Sequence, residues 1–433
     1  MASNVMTRDT ATRDATTRDT ALNTYIKEVG AAVAAQLEAC TRCGICAEAC
    51  HFYLATGKPE YTPIWKVELV RRLYEQRFTP VGRLKVALGL DKPVTEADLE
   101  QWAEYDYHAC TLCQRCSLVC PMGIQIADLI HMARSGLQAA GLTPTDLQQA
   151  LDTQLKVGSP LGVDDDTFDD RMEWVEEDWE VDLPIDKPNA DALLVFSSIE
   201  IMKFPDNIAA IAKILNAGGI NWTISKEARE VTNFGLYAGS DELETYITHR
   251  VIDPAKRMGV KRVIVSECGH AYDNLRFRAA NLLGEDFPFE IVHITEVIGE
   301  LLESGKIKVK PGVLTEKVTF HDACKIQRRG GNFDQPREAL KQLAGDNFVE
   351  MTPNREEAFC CGGGGGVIAI KDADTIRRAA FTIKIDQVNK TGAHKVAMTC
   401  SNCRLQFLDC VDHFALDWEV LGLAQLVADN LVN

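Results

Sequence analysis

Apolar positions recur along the chain with two different periods, and the change from one to the other divides it. Ile26, Val29, Val33 and Leu37, spaced three to four residues apart, predict a helix over Ala21–Glu38. A helical insertion is expected from about Thr62 to Tyr107, and another helix over Ile126–Ala140, stopped by Gly141. From Ala192 onward, short β-branched runs alternate with helical stretches. Ala192–Ser197, Asn221–Ser225 and Arg262–Ser266 read as strands, with helices over Asp206–Ala217 and Asp241–Met258. The order then returns. Val318–Phe320, Phe348–Met351 and Lys395–Thr399 read as strands, and Gln335–Ala344 and Asp372–Asn389 as helices. An offset of about 127 residues carries Ser197 onto Cys324, Asn233 onto Cys360, Phe234 onto Cys361 and Gly235 onto Gly362. Both halves close alike, in Phe289–Leu302 and Trp418–Leu431. The expectation is an α+β multidomain chain: an α-helical domain followed by a duplicated α/β unit.

Composition refines this division. The first twenty residues repeat Thr-Arg-Asp with Ala and Thr and offer nothing to bury, so a disordered arm is expected over 1–20. Asp164–Asp182 holds eleven acidic residues and one basic residue, Arg171, which reads as a solvated linker over 151–190. The alternative is an acidic docking surface for a basic partner. Trp174 and Trp179 would pin this linker to a domain. The expected units are therefore a helical domain over 21–150, the linker, and repeats over 191–310 and 311–433. Forty-six basic residues against 63 acidic ones give a net charge of −17, which argues against nucleic acid as a partner. No run of about 18 uncharged apolar residues is present, and no apolar stretch near Met1 marks a secretory signal, so a cytoplasmic protein is expected. Fifteen cysteines, an odd number in such a chain, read as metal ligands rather than as a disulfide framework.

Two cysteine runs share one spacing. Cys40, Cys43, Cys46 and Cys50, and again Cys110, Cys113, Cys116 and Cys120 followed by Pro121, follow the C-x2-C-x2-C-x3-C pattern of bacterial ferredoxins. Three thiolates two residues apart wrap one tight turn around a cubane corner, and the fourth reaches the other cluster. One 4Fe–4S cubane is therefore expected on Cys40, Cys43, Cys46 and Cys120, and a second on Cys110, Cys113, Cys116 and Cys50. Zinc would need two pairs of ligands, where each run here supplies three and one. His51 stands where a second proline would be expected, a turn-shaping position that ligates nothing.

A third constellation comprises Cys324, the doublet Cys360-Cys361-Gly362, and Cys400-Ser-Asn-Cys403. Successive side chains diverge, so a doublet suits a larger or more open site, and five thiolates exceed what a cubane takes. Gly362–Gly366 would let the backbone approach a cluster or a bulky sulfur substrate closely. A phosphate loop is excluded, because neither G-x-G-x-x-G nor a following Lys-Ser/Thr is present. This pattern, with His321-Asp322-Ala323 before Cys324, resembles the cysteine-rich CCG domain of heterodisulfide reductases. Two ferredoxin motifs followed by two such repeats resemble the D-type chain of those enzymes, or their C-type and B-type chains fused. Similar layouts occur in DsrK, TmcB and HmcF, and in the iron–sulfur subunits of glycolate oxidase and anaerobic glycerol-3-phosphate dehydrogenase. The resemblance implies that Cys324, Cys360, Cys361, Cys400 and Cys403 hold one noncubane 4Fe–4S cluster at which a disulfide is opened.

The first repeat departs from that pattern. Its five positions are Ser197, Asn233, Phe234, Cys268 and Ala271, too few thiolates for a cluster. Either it is kept for shape, or Cys268, with His270 beside it, faces the intact site and handles substrate sulfur or protons. His321 either caps a strand end or donates a hydrogen bond or proton to the site. Lys325, Arg328 and Arg329 offset cluster charge, attract an anionic substrate, or form a solvated face. Cys410 reads as a buried helix residue.

The expected function is that of an oxidoreductase subunit acting on sulfur groups, converting thiol and disulfide or persulfide with electrons relayed through two cubanes. The catalytic candidates are Cys268, His270 and His321. The alternative is a pure electron-transfer subunit of a membrane quinone-linked complex or of a glycolate or glycerol-3-phosphate dehydrogenase. Either way, flavoprotein or membrane quinone/cytochrome subunits are the expected partners, with a small sulfur substrate or sulfur-carrier protein. Attachment to the cytoplasmic face of a membrane complex would fit both.

Overall fold

The structure, a computed structural model, describes residues 19–25, 27 and 29–432. The arm expected over 1–20 lies outside these residues except for Asp19 and Thr20, which are helical. The helix expected over Ala21–Glu38 is interrupted. Residues 29 and 30 leave it, and Gly30, in an extended conformation, starts a new helix, Ala31–Ala39. Glycine's poor helix propensity breaks the backbone while the apolar spacing continues across the gap. The insertion is helical, in Pro63–Lys66, Glu68–Phe78, Pro80–Ala87 and Glu96–Ala103. Thr62 and Thr79 cap the first and third of these, each followed by a proline whose missing N–H costs nothing at a helix start. Ile126–Ala139 ends as expected, with Gly141 in the left-handed region at φ 77°.

The acidic stretch is not a solvated linker. Asp164 accepts from the Thr167 N–H at 2.9 Å and starts a helix, Asp165–Trp179. Phe168, Met172 and Val175 fall on one face of it and are buried in the core of the first repeat. Asp165 pairs with Arg229 and Asp169 with Lys226, so part of the charge belongs to the fold. Trp179 packs on that core, edge-on to Trp174 at 5.4 Å. The composition of this stretch masks its helical period.

The first repeat forms a parallel sheet from β1 (Ala192–Val195), β2 (Trp222–Thr223), β3 (Arg262–Val265) and β4 (Glu290–His293), in the order β2-β1-β3-β4. The second forms one from β5 (Val318–His321), β6 (Lys395–Met398) and β7 (Glu419–Gly422), in the order β5-β6-β7, also parallel. The strand expected over Phe348–Met351 shrinks to one parallel bridge, Val318 to Phe348, on the edge where β2 sits in the first sheet. The short pairing of β2 and this bridge are the same edge at two lengths, which supports the duplication.

The repeats share their interior. Ile208, Ile211 and Leu215 of the helix Pro205–Ala217 pack with Leu423, Ala424 and Val427 of the helix Leu423–Ala428. A second core joins Val195, Val263 and Val265 to Val396 and Met398 and encloses Cys268, Cys324, Cys360, Cys361, Cys400 and Cys403. These cysteines sit beyond the carboxyl ends of the strands, where open parallel sheets place their ligands. The helical domain closes over that end, burying Tyr107, Leu147 and Leu151 with Phe234, Tyr237, Val367 and Ile370.

Candidate functional site

Both ferredoxin-type loops take the same backbone path. Arg42 and Gly44 flank Cys43 at φ 56° and 81°, and Leu112 and Gln114 flank Cys113 at φ 52° and 66°. Three of these four are not glycine, and such a conformation is held only where the surroundings dictate it. Each loop is thereby wound so that its cysteines face a shared cavity, with Cys43 the one that stays exposed. Cys40, Cys43, Cys46 and Cys120 line one apolar cavity, and Cys50, Cys110, Cys113 and Cys116 line another. The exchange of the fourth cysteine between runs is the arrangement expected from the spacing. Burial pushes the Cys46 thiol up to about 11, and the neighbouring Cys40, Cys120 and Cys43 add to it. A buried thiol raised in this way ionises readily only with a cation beside it, which suits an iron cluster. Lys66, itself buried, hydrogen-bonds the Ala109 carbonyl and lies 3.9 Å from Cys50 Sγ.

The third set is more enclosed. Cys324, Cys360, Cys361, Cys400 and Cys403 are all buried, none more than 8% exposed. The two members of the doublet diverge as expected. Cys360 faces the helical domain, with Thr111 Oγ1 at 3.4 Å from its sulfur and Cys113 beside it. Cys361 faces Cys403 and His321, and an atom from each of these three lies within 4.8 Å of the others. Gly362, at φ 95°, turns its N–H to Cys360 Sγ at 3.5 Å. Gly365 comes so near the Thr111 backbone that a side chain would meet it at 2.7 Å. The glycines therefore serve close approach between domains as well as toward the site. His321 is wholly buried, and its ring interacts with the Cys361 thiol but has no oxygen or nitrogen partner among the described residues. A buried imidazole left so, beside two thiols, fits a site that holds a further group. Five sulfur donors and this ring suit an iron–sulfur centre better than zinc.

The first repeat reaches the same place. Cys268 and Cys400 are equivalent: each follows the central strand of its sheet and precedes a helix, Gly269–Asp273 and Ser401–Phe414. Cys268 is buried next to Cys400, and the Gly269 N–H points at the Cys400 sulfur. His270 is pinned: its Nε2 accepts from the Gly365 N–H at 3.0 Å, and burial lowers its pKa to about 3. Of the three cations after Cys324, Lys325 is buried, Arg328 half-buried and only Arg329 exposed. Lys325 binds Asp273 at 2.7 Å and Arg329 lies 3.4 Å from the same carboxylate. Arg328 donates to the Cys113 carbonyl at 2.7 Å. Cys410 is buried on its helix and accepts from Gln406 at 3.2 Å.

Several residues at the site escaped the sequence reading. His51 is buried between the second and third sets, close to Cys113 and Cys361, and burial lowers its pKa to about 4. Lys384 is buried beside Cys360, Cys361 and Cys403, and burial lowers its pKa to about 8. Its signal was present: Phe381, Lys384 and Val388 share one helix face, the inward one. Arg134, fully buried, joins all three units. It donates to Asp106 and Cys110 carbonyls at 2.7 and 2.6 Å, and to Tyr237 and Gly365 carbonyls at 2.8 Å each.

Comparison with known proteins agrees with this division. Residues 36–124 match the model of the 4Fe-4S dicluster domain, and residues 318–408 match the cysteine-rich CCG domain. The chain is 30% identical to the D chain of the dihydromethanophenazine:CoB–CoM heterodisulfide reductase of Methanosarcina acetivorans, over 92% of this chain and 94% of that one. It is 28% identical to the Hdr-like menaquinol oxidoreductase iron-sulfur subunit of Archaeoglobus profundus, over 92% and 79% of the two chains. An EtfAB:quinone oxidoreductase of Syntrophomonas wolfei is also 28% identical, over 87% of this chain and 55% of that one. Proteins of this kind carry 4Fe–4S clusters and act as oxidoreductase subunits alongside other redox subunits.

Proposed function

From the premise that this chain belongs to the D-type family of heterodisulfide reductase iron–sulfur subunits, we propose that it relays single electrons through two cubanes to a noncubane 4Fe–4S centre where a sulfur–sulfur bond is opened. In this reading Cys40, Cys43, Cys46 and Cys120 hold the first cubane, and Cys110, Cys113, Cys116 and Cys50 the second. Cys324, Cys360, Cys361, Cys400 and Cys403 hold the third centre. When bound, the clusters supply one-electron transfer and, at the third, cleavage of a disulfide or persulfide, which consumes two electrons and two protons.

The protein's own part follows from the geometry. Cys113 and Cys360, from different domains, abut beside Thr111, so the second and third sites adjoin directly at this pair. Arg328 and Arg134 hold the cysteine loop carbonyls that fix this junction. Lys384 places a cation beside three of the five sulfurs and offsets their negative charge. His321, facing Cys361 and Cys403, is positioned to pass a proton to a sulfur leaving that site. His270 holds the glycine loop rather than donating, since its Nε2 accepts from Gly365. Cys268, beside Cys400, shapes the near wall of the site.

The observation that carries this reading is the convergence of five buried cysteines from both halves of the second repeat, with a pinned glycine loop and a buried histidine against two of the thiols. Anaerobically purified protein should contain about twelve iron atoms per chain. It should also reduce a disulfide with a chemical reductant, and Cys361→Ser should abolish that reaction. About eight irons in the unaltered chain would remove the third centre.

Burial of all five cysteines under the helical domain favours a second reading, a relay that passes electrons onward without a sulfur substrate. Its partners would be a flavoprotein or a membrane quinone/cytochrome subunit rather than a small sulfur compound or sulfur carrier, and a site on the cytoplasmic face of a membrane suits it. Full iron content, no turnover of disulfides, and co-purification with a flavoprotein would decide for it.

A further inference from the structure

The insertion between the two cysteine loops carries a surface that the iron–sulfur sites do not use. Of fifteen large apolar side chains exposed among the described residues, ten lie between Ile45 and Met122. Five follow one another along the chain: Phe78 at 42% exposed, Val81 at 63%, Leu84 at 57%, Leu88 at 63% and Leu90 at 75%. Helical periodicity puts Val81, Leu84 and Leu88 on one outward face of Pro80–Ala87 and the turn after it. Gly82 and Val86 take the opposite face, against the helix Glu68–Phe78, where a side chain at Gly82 would collide with the Glu75 backbone.

Charge completes the pattern. Lys85 and Arg83 border the outward stripe on its two sides, and Arg77 and Lys92 stand beyond its ends. All four are exposed, and none has an ion-pair partner among the described residues. Asp91, the one anion within Arg77–Lys92, accepts from Gln76 at 2.9 Å. In a chain of net charge −17, the local sign is reversed here.

We propose that the Phe78–Leu90 face is a docking surface for an anionic lipid bilayer. An apolar stripe bordered by long cations lies in the plane of such a surface, with its apolar groups at the acyl boundary and its cations on the phosphates. Val81, Leu84, Leu88 and Leu90 are open to solvent among the described residues, a stripe that a fluid bilayer meets without needing a matching groove. No described helix is long and apolar enough to cross a membrane, so the contact is with the surface.

The proposal rests on the electron-carrier reading for its purpose. The helix Glu68–Phe78 supplies Arg71 to the first cysteine cavity, and Arg42 of that cysteine loop lies 3.6 Å from Glu68 and 3.4 Å from Glu75. Docking would bring the first iron–sulfur site nearest to a lipid-soluble electron donor.

The test is sedimentation of the full-length, cluster-loaded chain with vesicles of phosphatidylcholine alone or mixed equally with phosphatidylglycerol. Binding is expected to the mixed vesicles, more than about tenfold stronger than to phosphatidylcholine. It should be weakened by salt, lost in Leu84→Glu/Leu88→Glu, and kept in Leu161→Glu, a distant exposed leucine. Iron content and the visible spectrum of the double variant should stay unchanged, which separates a lost surface from a lost fold. Equal binding to both lipids, binding that survives the double substitution, or no vesicle binding at all would overturn the proposal. The last result includes the case in which this face serves an acidic protein instead. Since the readout needs no electron transfer, failure here leaves the iron count and the disulfide assay standing.

Discussion

The two α/β repeats are one fold put to opposite uses. In the second, the positions after the strands carry five buried thiols with few ordinary hydrogen bonds. In the first, the equivalent positions are closed by side chains that satisfy one another. Ser197 caps the helix Ser198–Lys203 and donates to Glu200 at 2.8 Å, and Ser266 reaches the same carboxylate at 2.6 Å. Asn233 caps the helix Phe234–Ala238, accepting from the Leu236 N–H at 3.1 Å and donating to the Glu244 carbonyl at 2.9 Å. Ser and Asn are among the strongest N-cap residues, so these exchanges turn metal-binding positions into helix starts. What remains, Cys268 and His270, no longer forms a site of its own and lies against its neighbour's. One half of a duplicated fold thus serves as a wall for the cysteine set of the other.

The comparison can be broken most sharply by metal content. Cys360→Ser/Cys361→Ser should lower iron from about twelve to about eight atoms per chain, whereas Ser197→Ala/Asn233→Ala should leave it unchanged. A fall in both, or in neither, would mean that the repeats are not divided as described. Next in size is a doubly buried ion pair beside the cysteines of the second repeat. Arg337, 2% exposed, grips Asp322 next to Cys324, with contacts of 2.9 Å to each carboxylate oxygen. Arg337→Leu strands that carboxylate and should cost about 3–5 kcal/mol in anaerobic denaturation of the loaded protein. Asn233→Ala alone should cost about 1–2 kcal/mol, as a lost cap with buried partners left behind. The smallest effect sharpens the boundary between the halves. Cys268→Ala should keep full iron content and most stability, yet shift the electron paramagnetic resonance spectrum of the third centre. An unaltered spectrum would assign Cys268 to shape alone.

Much of the site was legible because its spacing is local chemistry. Cys40 to Cys50 and Cys110 to Cys120 each encode one loop, and the doublet Cys360-Cys361 marks the third set without knowledge of its neighbours. The duplication was legible because strand and helix recur in order, even where Phe348–Met351 keeps only a single bridge. What stayed hidden depends on distant pairing. The acidic run at Asp164–Asp182 gave charge more weight than the Phe168, Met172, Val175 stripe that makes it a packed helix. His51 was read as a turn residue, because nothing near it in sequence reveals that Cys361 would face it from the other end of the chain. Arg134 was invisible for the same reason: its four carbonyl partners lie on three separate stretches.

That arginine has a consequence for how the protein is made. Once its guanidinium has engaged Cys110 and Gly365 together, the helical domain is latched over the glycine loop, and the five thiols beneath have almost no route to solvent. A cluster on these five thiols would then have to be in place before the helical domain latches down, so loading and domain closure would be coupled.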